Sequence, residues 1–469
     1  MSLYTRFVSG VVFPLQERLK HHDSVRVRRE LEASQWWPAE RIAALQLDRL
    51  QRLLHEAGTQ VPYYRRRFAE AGFDAAALRS LADLQRLPFL TKADIRAHAR
   101  DLRHAQAGEL VRLTTGGSSG QPLTFWTGKE RISHDVAAKW RATRWFGVDI
   151  GDPEVVIWGS PIEIGAQDRL RRLRDGLMRS TLVSAFDMSG PNLDAYLAHI
   201  RRVRPRMLFG YPYSLAYIAQ HARQRGQRMD DLGIRVAFVT SELLYPHQRQ
   251  LISEVFGCPV ANGYGGRDAG FIAHECEAGG MHITAEDIVV ELVDADGRPV
   301  PAGEPGEVVV THLATRDFPF IRYRTGDIAV LDDRRCTCGR ALPMIREVQG
   351  RTNDFLIASN GTPIPCGAFT YLVRELQGVD SFKVVQESID HTRVSLATGA
   401  GFDPAATQAL VQGFKRRLGE GVRVEVELVD RIPAEKSGKF RYIVSKVAAP
   451  AAPAAVQAGA PACAPETTH

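Results

Sequence analysis

Long apolar runs are missing from this sequence of 469 residues. No stretch approaches the roughly 18–20 continuous apolar residues that a membrane-spanning helix needs. Residues 7–15 are apolar, but the segment is short, contains Pro14 and lacks the small-residue cleavage site of a signal peptide. We interpret it as a surface helix docked on the protein, with a helix that touches a membrane surface as the alternative. Without an export signal, the protein is expected in the cytoplasm, where thiols stay reduced.

Cysteine is also scarce. The chain has six, and their positions do not resemble the disulfide framework of a secreted domain. Cys276 and His282 lie near each other at the entrance to a predicted strand, and Cys336 and Cys338 form a tight Cys-Thr-Cys-Gly knuckle further along. Three thiolates and one imidazole make a closed tetrahedral set for a structural Zn²⁺. Reduced, partly buried thiols are the alternative, with His274 as a rival ligand.

A large charge excess is absent as well. Lys and Arg number 60 against 54 Asp and Glu, a formal net charge of +6. The arginines cluster at residues 169–174 and 201–206, where they can attract phosphates, nucleic acid or an anionic membrane surface. A solvated basic face is the simpler interpretation. Because aromatic residues are not interleaved, we expect no nucleic-acid partner.

The first hundred residues have a helical pattern. Apolar residues recur three and four apart in residues 40–55, and Pro38 lies near the start of this helix, where its missing N–H is not needed. Thr91 and Asp94 indicate another helix start, as the cap and the first-turn acid. We predict a mainly helical lead-in over residues 1–105.

Strands and helices then alternate. Buried strands are predicted at residues 155–158, 207–209 and 236–240, and helices at residues 192–203, 212–225 and 246–256. This alternation favours an α/β fold with a parallel sheet. After Gly280 the pattern changes to hairpins, with strands predicted at residues 282–293 and 307–312 around a turn at residues 294–298.

The last part of the chain is predicted to form a separate α+β domain. Its strands are predicted at residues 382–386, 393–396 and 422–428, and its helix at residues 404–418. Residues 448–469 are rich in Ala and Pro and cannot bury enough surface to offset chain entropy. The predicted fold class is α/β: a large multi-subdomain N-terminal region (residues 1–349), a small C-terminal α+β domain (residues 350–447) and a disordered tail (residues 448–469).

A loop rich in glycine and hydroxyl groups is the first candidate binding site. Residues 113–123 read Leu-Thr-Thr-Gly-Gly-Ser-Ser-Gly-Gln-Pro-Leu. Glycines let the backbone turn tightly and present N–H groups to a phosphate, and the hydroxyls add hydrogen bonds. The loop precedes a predicted strand and lacks the Gly-Lys-Ser/Thr ending of a Walker loop. A plain flexible turn is the alternative. The candidate residues are Thr114, Thr115, Gly116, Gly117, Ser118, Ser119 and Gly120.

Four further motifs follow this loop in order. They are Gly263-Tyr-Gly-Gly-Arg-Asp268, Tyr323-Arg-Thr-Gly-Asp327, Gly350-Arg-Thr-Asn-Asp354 and Pro433-Ala-Glu-Lys-Ser-Gly-Lys-Phe-Arg441. Each alone is weakly specific, but the ordered set resembles the adenylate-forming superfamily of acyl-CoA synthetases and related ligases. It is most similar to the phenylacetate–coenzyme A ligase-like branch, which includes relatives linked to capsule polysaccharide synthesis. The resemblance runs from about residue 30 to residue 446.

The resemblance implies a nucleotide site. The glycine-rich loop would hold the β- and γ-phosphates of ATP, and Tyr264 would stack on the adenine. Asp327 would accept hydrogen bonds from the ribose hydroxyls, and Arg351 would assist at the ribose or phosphate. Asp268 stands where the family usually has Glu as the Mg²⁺ ligand, so the carboxylate is kept but is one methylene shorter. The remaining nucleotide contacts would be Asn262, Gly263 and Gly265.

The resemblance also implies that Lys439 is the adenylation lysine. A mobile C-terminal domain would carry it to the carboxylate and the α-phosphate, where it would stabilise charge developing on the non-bridging oxygens. Such enzymes rotate this domain between two reaction steps. The chain departs from the pattern at Gln121, often Lys in the family, and at Asn353, where many relatives have a hinge Asp. For Lys439 alone, an exposed lysine in a turn is the alternative.

Two further features come from the branch resemblance. A cysteine-rich turn of the form Cys-x-Cys-Gly-Arg occurs in that branch and agrees with the zinc set. The family position of the acid pocket assigns its lining to four aromatic residues, which suggest an aromatic or other apolar acid, although such residues also build plain cores. These residues are Phe209, Tyr211, Tyr213 and Phe238.

The expected function is therefore that of an AMP-forming acid–thiol ligase. With ATP and Mg²⁺ it would convert a small carboxylic acid to acyl-AMP and pyrophosphate, and then pass the acyl group to coenzyme A. One alternative keeps the first step but acylates an amine or a sugar in polysaccharide or natural-product assembly. Another is a non-catalytic, zinc-stapled scaffold that binds nucleotide. The sequence leaves open whether the protein forms a homodimer.

Overall fold

In the computed structural model, the structure describes residues 2–115, 123–158, 169–185, 188, 190–351, 355–361, 363–365, 369, 372–373, 376–399, 401–432 and 441–447. Of these, residues 2–351 and residue 441 belong to one compact unit, and residues 355–432 and 442–447 belong to a second. The predicted disordered tail, residues 448–469, lies outside the described residues. Among the described helices, none is both long and apolar enough to cross a membrane.

Helices dominate the first hundred residues. They are α1 Leu3–Phe7, a π-helical segment Val8–Val12, α2 Phe13–Leu19, α3 Ser24–Ser34, α4 Ala39–Gln60, α5 Pro62–Glu70, two 3-10 helices Ala75–Ala77 and Leu81–Arg86, and α6 Lys92–Ala97. Pro38 precedes the first residue of α4. The predicted cap of α6 is confirmed, because Thr91 Oγ1 accepts from the Asp94 N–H while the Asp94 carboxylate accepts from the Thr91 N–H.

The strands of the first unit form a hairpin and a large sheet. The hairpin pairs β1 Val111–Thr114 with β2 Thr124–Thr127 in antiparallel register. The sheet strands are β3 Glu154–Trp158, β4 Ser180–Ser184, β5 Met207–Gly210, β6 Val236–Thr240, β7 Val260–Gly266, β8 Gly270–Glu275, β9 Met281–Ile283, β10 Ile288–Val293, β11 Pro305–His312, β12 Tyr323–Asp332 and β13 Met344–Arg351. The helices of this region are α7 Lys129–Trp145, α8 Arg169–Met178, α9 Gly190–Val203, α10 Pro212–Gln224 and α11 Pro246–Phe256.

The eleven described strands of this sheet are ordered β10-β11-β12-β13-β9-β8-β7-β6-β5-β3-β4. Strands β3 to β7 pair in parallel, which confirms the predicted parallel sheet. Strand β7 ends the parallel part of the sheet, since its other neighbour, β8, is antiparallel. Ligands of open α/β sheets bind in the crevice outside the carboxyl ends of the parallel strands.

The prediction of one strand over residues 282–293 is wrong. The chain turns after β9, where the Asp287 and Ile288 N–H groups both donate to the Thr284 carbonyl. Buried ion pairs explain the turn, because Glu286 meets Arg141 at 2.7 Å and Asp287 meets His134 at 2.7 Å. As a result β9 pairs with β8 and β13, while β10 pairs with β11.

The second unit is a small α+β domain. Its elements are β14 Phe355–Ile357, β15 Pro363–Pro365, β16 Val379–Ser388, β17 His391–Thr398, α12 Ala406–Leu418, β18 Arg423–Val429 and β19 Ile443–Ser445. Four strands form a sheet in the order β18-β17-β16-β19. The core under α12 contains Leu410 and Phe414. The helix starts two residues later than the predicted residue 404, and Asp403 accepts from the Ala405 N–H just before it.

Candidate active site

The carboxyl end of β7 is built from glycines because no side chain fits there. A Cβ on Gly263 would lie 2.9 Å from the Phe238 ring, and one on Gly265 would lie 2.2 Å from the Gly270 carbonyl oxygen. Gly263 therefore leaves room for the Phe238 ring of β6, and Gly265 lets β7 and β8 approach closely. Next to them the Asn262 N–H donates to Glu275 Oε2 at 2.8 Å. The backbone of the predicted nucleotide motif is thus held on both sides.

The two residues predicted to contact the nucleoside lie together. The Tyr264 hydroxyl donates to Asp327 Oδ2 at 2.9 Å, which joins β7 to β12. Both side chains are half-buried. The Asp327 N–H donates to Thr325 Oγ1 at 3.0 Å, and that hydroxyl donates in turn to the Val308 carbonyl at 2.9 Å. The Asp327 carboxylate is therefore positioned by the hydrogen bond from Tyr264 and by the hydrogen bonds that hold the Asp327 backbone.

The predicted Mg²⁺ ligand, Asp268, has a buried support. The Tyr323 hydroxyl donates to Asp268 Oδ2 at 2.6 Å. Arg131, on α7, donates to the backbone carbonyls of Asp268 at 2.9 Å and Arg267 at 3.0 Å. The sequence analysis did not single out Arg131. Its position shortly after the glycine-rich loop and the β2 strand is the signal that could have identified it.

Arg131 is itself held by a partly buried carboxylate. Arg131 Nε lies 3.4 Å from Asp135 Oδ2, and His312 Nε2 lies 3.7 Å from Asp135 Oδ1. Burial acts to raise the pKa of Asp135, but Arg131 and His312 outweigh it and hold that pKa below its usual value. The carboxylate therefore stays ionised and keeps the guanidinium in place under the Asp268 turn.

The two ends of the glycine-rich loop are closed on each other. The Thr115 N–H donates to the Leu123 carbonyl at 2.9 Å, and the Leu123 N–H donates to Thr115 Oγ1 at 3.1 Å. Arg267 Nη1 also donates to the Thr114 carbonyl at 3.2 Å, so this end of the loop lies against the Asp268 turn. Residues 116–120 themselves lie outside the described residues.

The side chains of several predicted site residues are not described. Asp327 and Arg351 are paired in the β12–β13 register, but the Arg351 side chain is not described. Lys439, Gln121 and Asn353 also lie outside the described residues. The roles of these residues remain predictions.

Three of the four predicted pocket aromatics come together. Tyr211 stacks on Trp158 with ring centroids 4.2 Å apart, and Phe209 and Phe238 are 6.0 Å apart. Tyr213 instead stacks on Tyr217 at 5.7 Å. A lysine that was not predicted from the sequence lies against these aromatic rings. It is Lys139 on α7, with Nζ 4.0 Å from the centroid of the Phe209 ring.

The predicted metal ligands converge. One candidate ligand atom from each of Cys276, His282, Cys336 and Cys338 lies within 4.8 Å of the others. Cys276 and Cys336 Sγ are 3.6 Å apart, and Cys338 Sγ is 3.2 Å from His282 Nε2. Bonds of about 2.3 Å from Zn²⁺ to thiolate would place two sulfurs of a tetrahedron about 3.8 Å apart. The donor set and its spacing therefore fit zinc.

The surroundings of this cluster favour a neutral imidazole ligand. His282 Nδ1 lies 3.3 Å from the Leu342 carbonyl, so Nδ1–H donates there and the Nε2 lone pair is left for the cluster. Burial lowers the pKa of His282 to about 4 and raises that of the Cys276 thiol to about 12. Gly280 permits the close approach, since a Cβ there would lie 2.6 Å from Cys336 Sγ. The rival His274 instead stacks on Phe271 at 5.3 Å.

Comparisons with known proteins agree with this geometry. Residues 178–314 match the family model for AMP-binding enzymes, and residues 356–446 match the model for the CapK C-terminal domain. A phenylacetate-coenzyme A ligase of Thermus thermophilus is 28% identical over 420 residues, covering 87% of this chain and 91% of that protein. Protein CapK of Staphylococcus aureus is 25% identical, covering 78% of this chain and 81% of that protein.

Solved structures agree on the fold. A 2-hydroxyisobutyryl-CoA ligase in the postadenylation state superposes with a TM-score of 0.71 at 22% identity, covering 88% of this chain and 91% of that one. The fold and the nucleotide motifs together define an adenylate-forming enzyme of the AMP-binding superfamily. Within that superfamily the chain is similar to the branch that contains the phenylacetate–coenzyme A ligases and CapK.

Proposed function

We propose that the protein activates a small carboxylic acid with ATP, releases pyrophosphate, and transfers the acyl group from acyl-AMP to coenzyme A. The observation that carries this proposal is the convergence of three motifs at the carboxyl end of β7. The Tyr264–Asp327 pair, the Asp268 turn and the end of the glycine-rich loop are linked by hydrogen bonds. The phenylacetate-coenzyme A ligases among the relatives support the same chemistry.

In the first step, this chain's residues would bind and orient ATP. Tyr264 would stack on the adenine between strand backbone and Asp327, whose carboxylate would accept from the ribose hydroxyls. The glycine-rich loop would surround the β- and γ-phosphates with N–H and hydroxyl donors. The acid's carboxylate oxygen would then attack the α-phosphorus and pyrophosphate would leave. Lys439 would stabilise the negative charge that builds up on the α-phosphate oxygens.

Asp268 would hold Mg²⁺ together with phosphate oxygens of ATP. The bound ion would neutralise charge on those oxygens during the displacement. Tyr323 donates to one carboxylate oxygen, Oδ2, and Arg131 fixes the backbone carbonyl of the same residue. This support orients a carboxylate that is shorter than the glutamate usual in the family.

The Cys276, His282, Cys336 and Cys338 cluster would hold a structural Zn²⁺. Four protein ligands would complete a tetrahedral shell and leave no position for a catalytic water. The cluster joins the turn after β8, the β9 strand and the turn before β13. We therefore assign it to stability and not to the reaction.

The acid would lie against the aromatic wall formed by Trp158, Phe209 and Tyr211. Its rings suit an aromatic or other apolar acid, and Lys139 above the Phe209 ring adds a cation to the same wall. An acid with an apolar body and a polar or anionic substituent would satisfy both features.

A pyrophosphate exchange assay tests the first step. Acid-dependent exchange of labelled pyrophosphate into ATP should appear with members of a carboxylate library, and the active members identify the acid. Lys439→Ala should lower the exchange by orders of magnitude while ATP binding survives. Lys436→Ala, in the same segment, is the matched control and should keep the activity. Absence of exchange with every acid would favour the non-catalytic scaffold.

A second candidate keeps the first step and changes the acceptor. The match of residues 356–446 to the CapK C-terminal domain favours it, because the C-terminal domain takes part in the second step in the superfamily. With the acid identified, product analysis with coenzyme A, amines and sugars separates the two. A coenzyme A thioester supports the main proposal, and an amide or ester with no thioester supports the second.

A further inference from the structure

A stripe of exposed apolar side chains follows the first helical segment, residues 3–19. Its members are four residues apart, and each is more than half exposed: Leu3 84%, Phe7 55%, Val11 53%, Leu15 57% and Leu19 74%. Among the described residues eleven large hydrophobic side chains are exposed, and five of them lie on this stripe. Isolated exposed apolar residues are ordinary, whereas a contiguous patch marks an interaction surface.

The π-helical segment keeps the stripe on one side of the helix. Four residues of α-helix cover about 40° more than one turn, so a residue at every fourth position drifts around the axis. Val8–Val12, between α1 and α2, has i→i+5 bonds and therefore more residues per turn, which rotates the stripe back. At about 1.5 Å per residue the stripe extends for roughly 24 Å.

The opposite face of the segment is fixed to the core. Thr5 Oγ1 donates to Asp152 Oδ1 at 2.8 Å, and Phe13 packs edge-on against Trp140 with ring centroids 5.0 Å apart. Val8 is 1% exposed. The segment is thus held by one face while the stripe points outward on a fixed surface.

A second helix extends the stripe into a patch. Leu173 and Leu177, four residues apart on α8, are 63% and 43% exposed. The Tyr4 hydroxyl donates to the Leu177 carbonyl at 2.9 Å, and the Arg179 guanidinium lies 3.9 Å over the Tyr4 ring. We call the five stripe residues with Leu173 and Leu177 the N-terminal apolar patch.

The charges beside the patch are basic. Arg6, Arg18 and Lys20 are exposed. The one carboxylate in residues 2–22, Glu17, is 3% exposed, accepts from Ser24 Oγ at 2.6 Å and lies 3.6 Å from Lys20 Nζ, so two of the three cations, Arg6 and Arg18, have no ion pair with it. On α8 the described carboxylate, Asp175, is paired with Arg174 at 2.5 Å. Two copies of the patch facing each other would bring these cations together, whereas anionic lipid head groups complement them. An apolar helix face bordered by cations is typical of a helix that lies in a membrane interface.

We propose that the N-terminal apolar patch docks the protein on an anionic lipid surface. The stripe side chains insert between the head groups, and Arg6, Arg18 and Lys20 face the lipid phosphates. No residue of the patch belongs to the nucleotide site or the metal cluster, so this inference does not depend on the proposed function.

Vesicle co-sedimentation of the full chain tests the proposal. The protein should bind to vesicles of phosphatidylcholine mixed with phosphatidylglycerol. It should bind much less to vesicles of phosphatidylcholine alone. F7S/V11S/L15S should weaken binding by at least about tenfold, since each side chain contributes buried apolar area. R6E/R18E/K20E should remove the preference for anionic vesicles. I389S/L428S, which removes exposed apolar side chains elsewhere, should bind like the wild type.

Thermal melting of each variant should show that the fold is kept, because all the altered side chains are exposed. Equal binding of the wild type and F7S/V11S/L15S to anionic vesicles, or no binding by either, would overturn the proposal. Sedimentation velocity without lipid tests whether a second copy of the protein, and not a lipid surface, covers the patch. A wild-type dimer that F7S/V11S/L15S converts to a monomer would assign the patch to self-association and would also overturn it.

Discussion

At the residue scale, the position of Asp268 depends on groups beneath it. Tyr323 is fully buried and donates to Asp268 Oδ2 at 2.6 Å, while Arg131 holds the adjacent backbone. A carboxylate one methylene shorter than glutamate has less reach toward a cation. Its orientation by a hydrogen-bonding neighbour should therefore matter more than usual.

Tyr323→Phe should keep the buried ring and remove this hydrogen bond. We expect pyrophosphate exchange to fall about tenfold at limiting Mg²⁺ and to recover partly as Mg²⁺ is raised, because partners of metal ligands affect affinity on that scale. Tyr64→Phe is the matched control, since it removes a buried hydroxyl that donates to the Pro319 carbonyl at 3.0 Å. An unchanged Mg²⁺ dependence in Tyr323→Phe would contradict the assigned role.

A second residue-scale feature is the buried pair of His134 and Asp287. His134 Nδ1 and Arg49 Nη1 each lie 2.7 Å from Asp287 Oδ1. Burial acts to raise the pKa of Asp287, but His134 and Arg49 outweigh it and hold that pKa well below its usual value. Burial likewise acts to lower the pKa of His134, and Asp287 outweighs it and raises that pKa.

The sign of each shift gives the pH range in which the pair stabilises the fold. The depressed pKa of Asp287 stabilises above its unfolded value of about 3.9, and this contribution is lost as pH falls through the folded value. The raised pKa of His134 stabilises below its unfolded value of about 6.5, and this contribution is lost as pH rises through the folded value. Both contributions are present between about pH 4 and pH 6.5.

Asp287→Asn should therefore destabilise the protein most between about pH 4 and 6.5, by roughly 3 kcal/mol, because a buried cation loses its partner. Urea unfolding at a series of pH values measures this. Asp296→Asn, at an exposed pair with Arg298, should change stability by less than about 1 kcal/mol at every pH. A loss in Asp287→Asn that did not vary with pH would argue against the ion pair.

At the element scale, side chains of the turn between β12 and β13 hold it next to β9 and the turn after β8. It carries Cys336 and Cys338, which meet Cys276 and His282 from the neighbouring strands. The register of β13 against β9, with Met344 opposite His282, brings the two halves of the cluster together. A metal at this place would fasten a turn that has little regular structure of its own.

Metal analysis of the purified, reduced protein should find about one zinc per chain. C336S/C338S, or a strong chelator, should remove the metal and lower the Tm by several degrees, since metal binding free energy adds to folding free energy. Cys258→Ala alters a buried cysteine outside the cluster and should keep the zinc. A folded wild-type protein without metal would refute the site.

At the scale of the whole molecule, the chain has two compact units, the first of residues 1–352 and 433–441 and the second of residues 353–432 and 442–469. The domain bounds expected from the sequence, residues 1–349 and 350–447, stay a prediction. The rotation of the second unit between two steps is a prediction from the family resemblance. Its proposed hinge, Asn353, stands where many relatives have Asp. Asn tolerates unusual backbone angles, so a hinge at this residue is compatible with the sequence.

Asn353→Pro should restrict the backbone at this hinge. We expect pyrophosphate exchange to persist while thioester formation falls at least about tenfold, because only the second step needs the rotated arrangement. Asn353→Asp introduces the residue common in relatives and should support both steps. Equal loss of both activities in Asn353→Pro, with the protein still folded, would contradict a hinge confined to the second step.

The sequence alone determined the features that depend on local order. Strand Val236–Thr240 and helix Pro246–Phe256 were predicted to the residue, because apolar periodicity and flanking breakers are local signals. The family followed from five motifs read in order, and the comparisons confirm it. The meeting of Lys439 with the glycine-rich loop remains a prediction.

Only the tertiary structure decided how distant residues meet. It placed Arg131 under Asp268, broke the predicted strand at Glu286 through its pair with Arg141, and grouped His282 rather than His274 with the cysteines. It also showed that one apolar stripe of residues 3–19, from Leu3 to Leu19 at every fourth position, faces outward while Val8 and Phe13 are buried. Each of these depends on contacts between residues far apart in the chain, which periodicity and motif spacing do not encode.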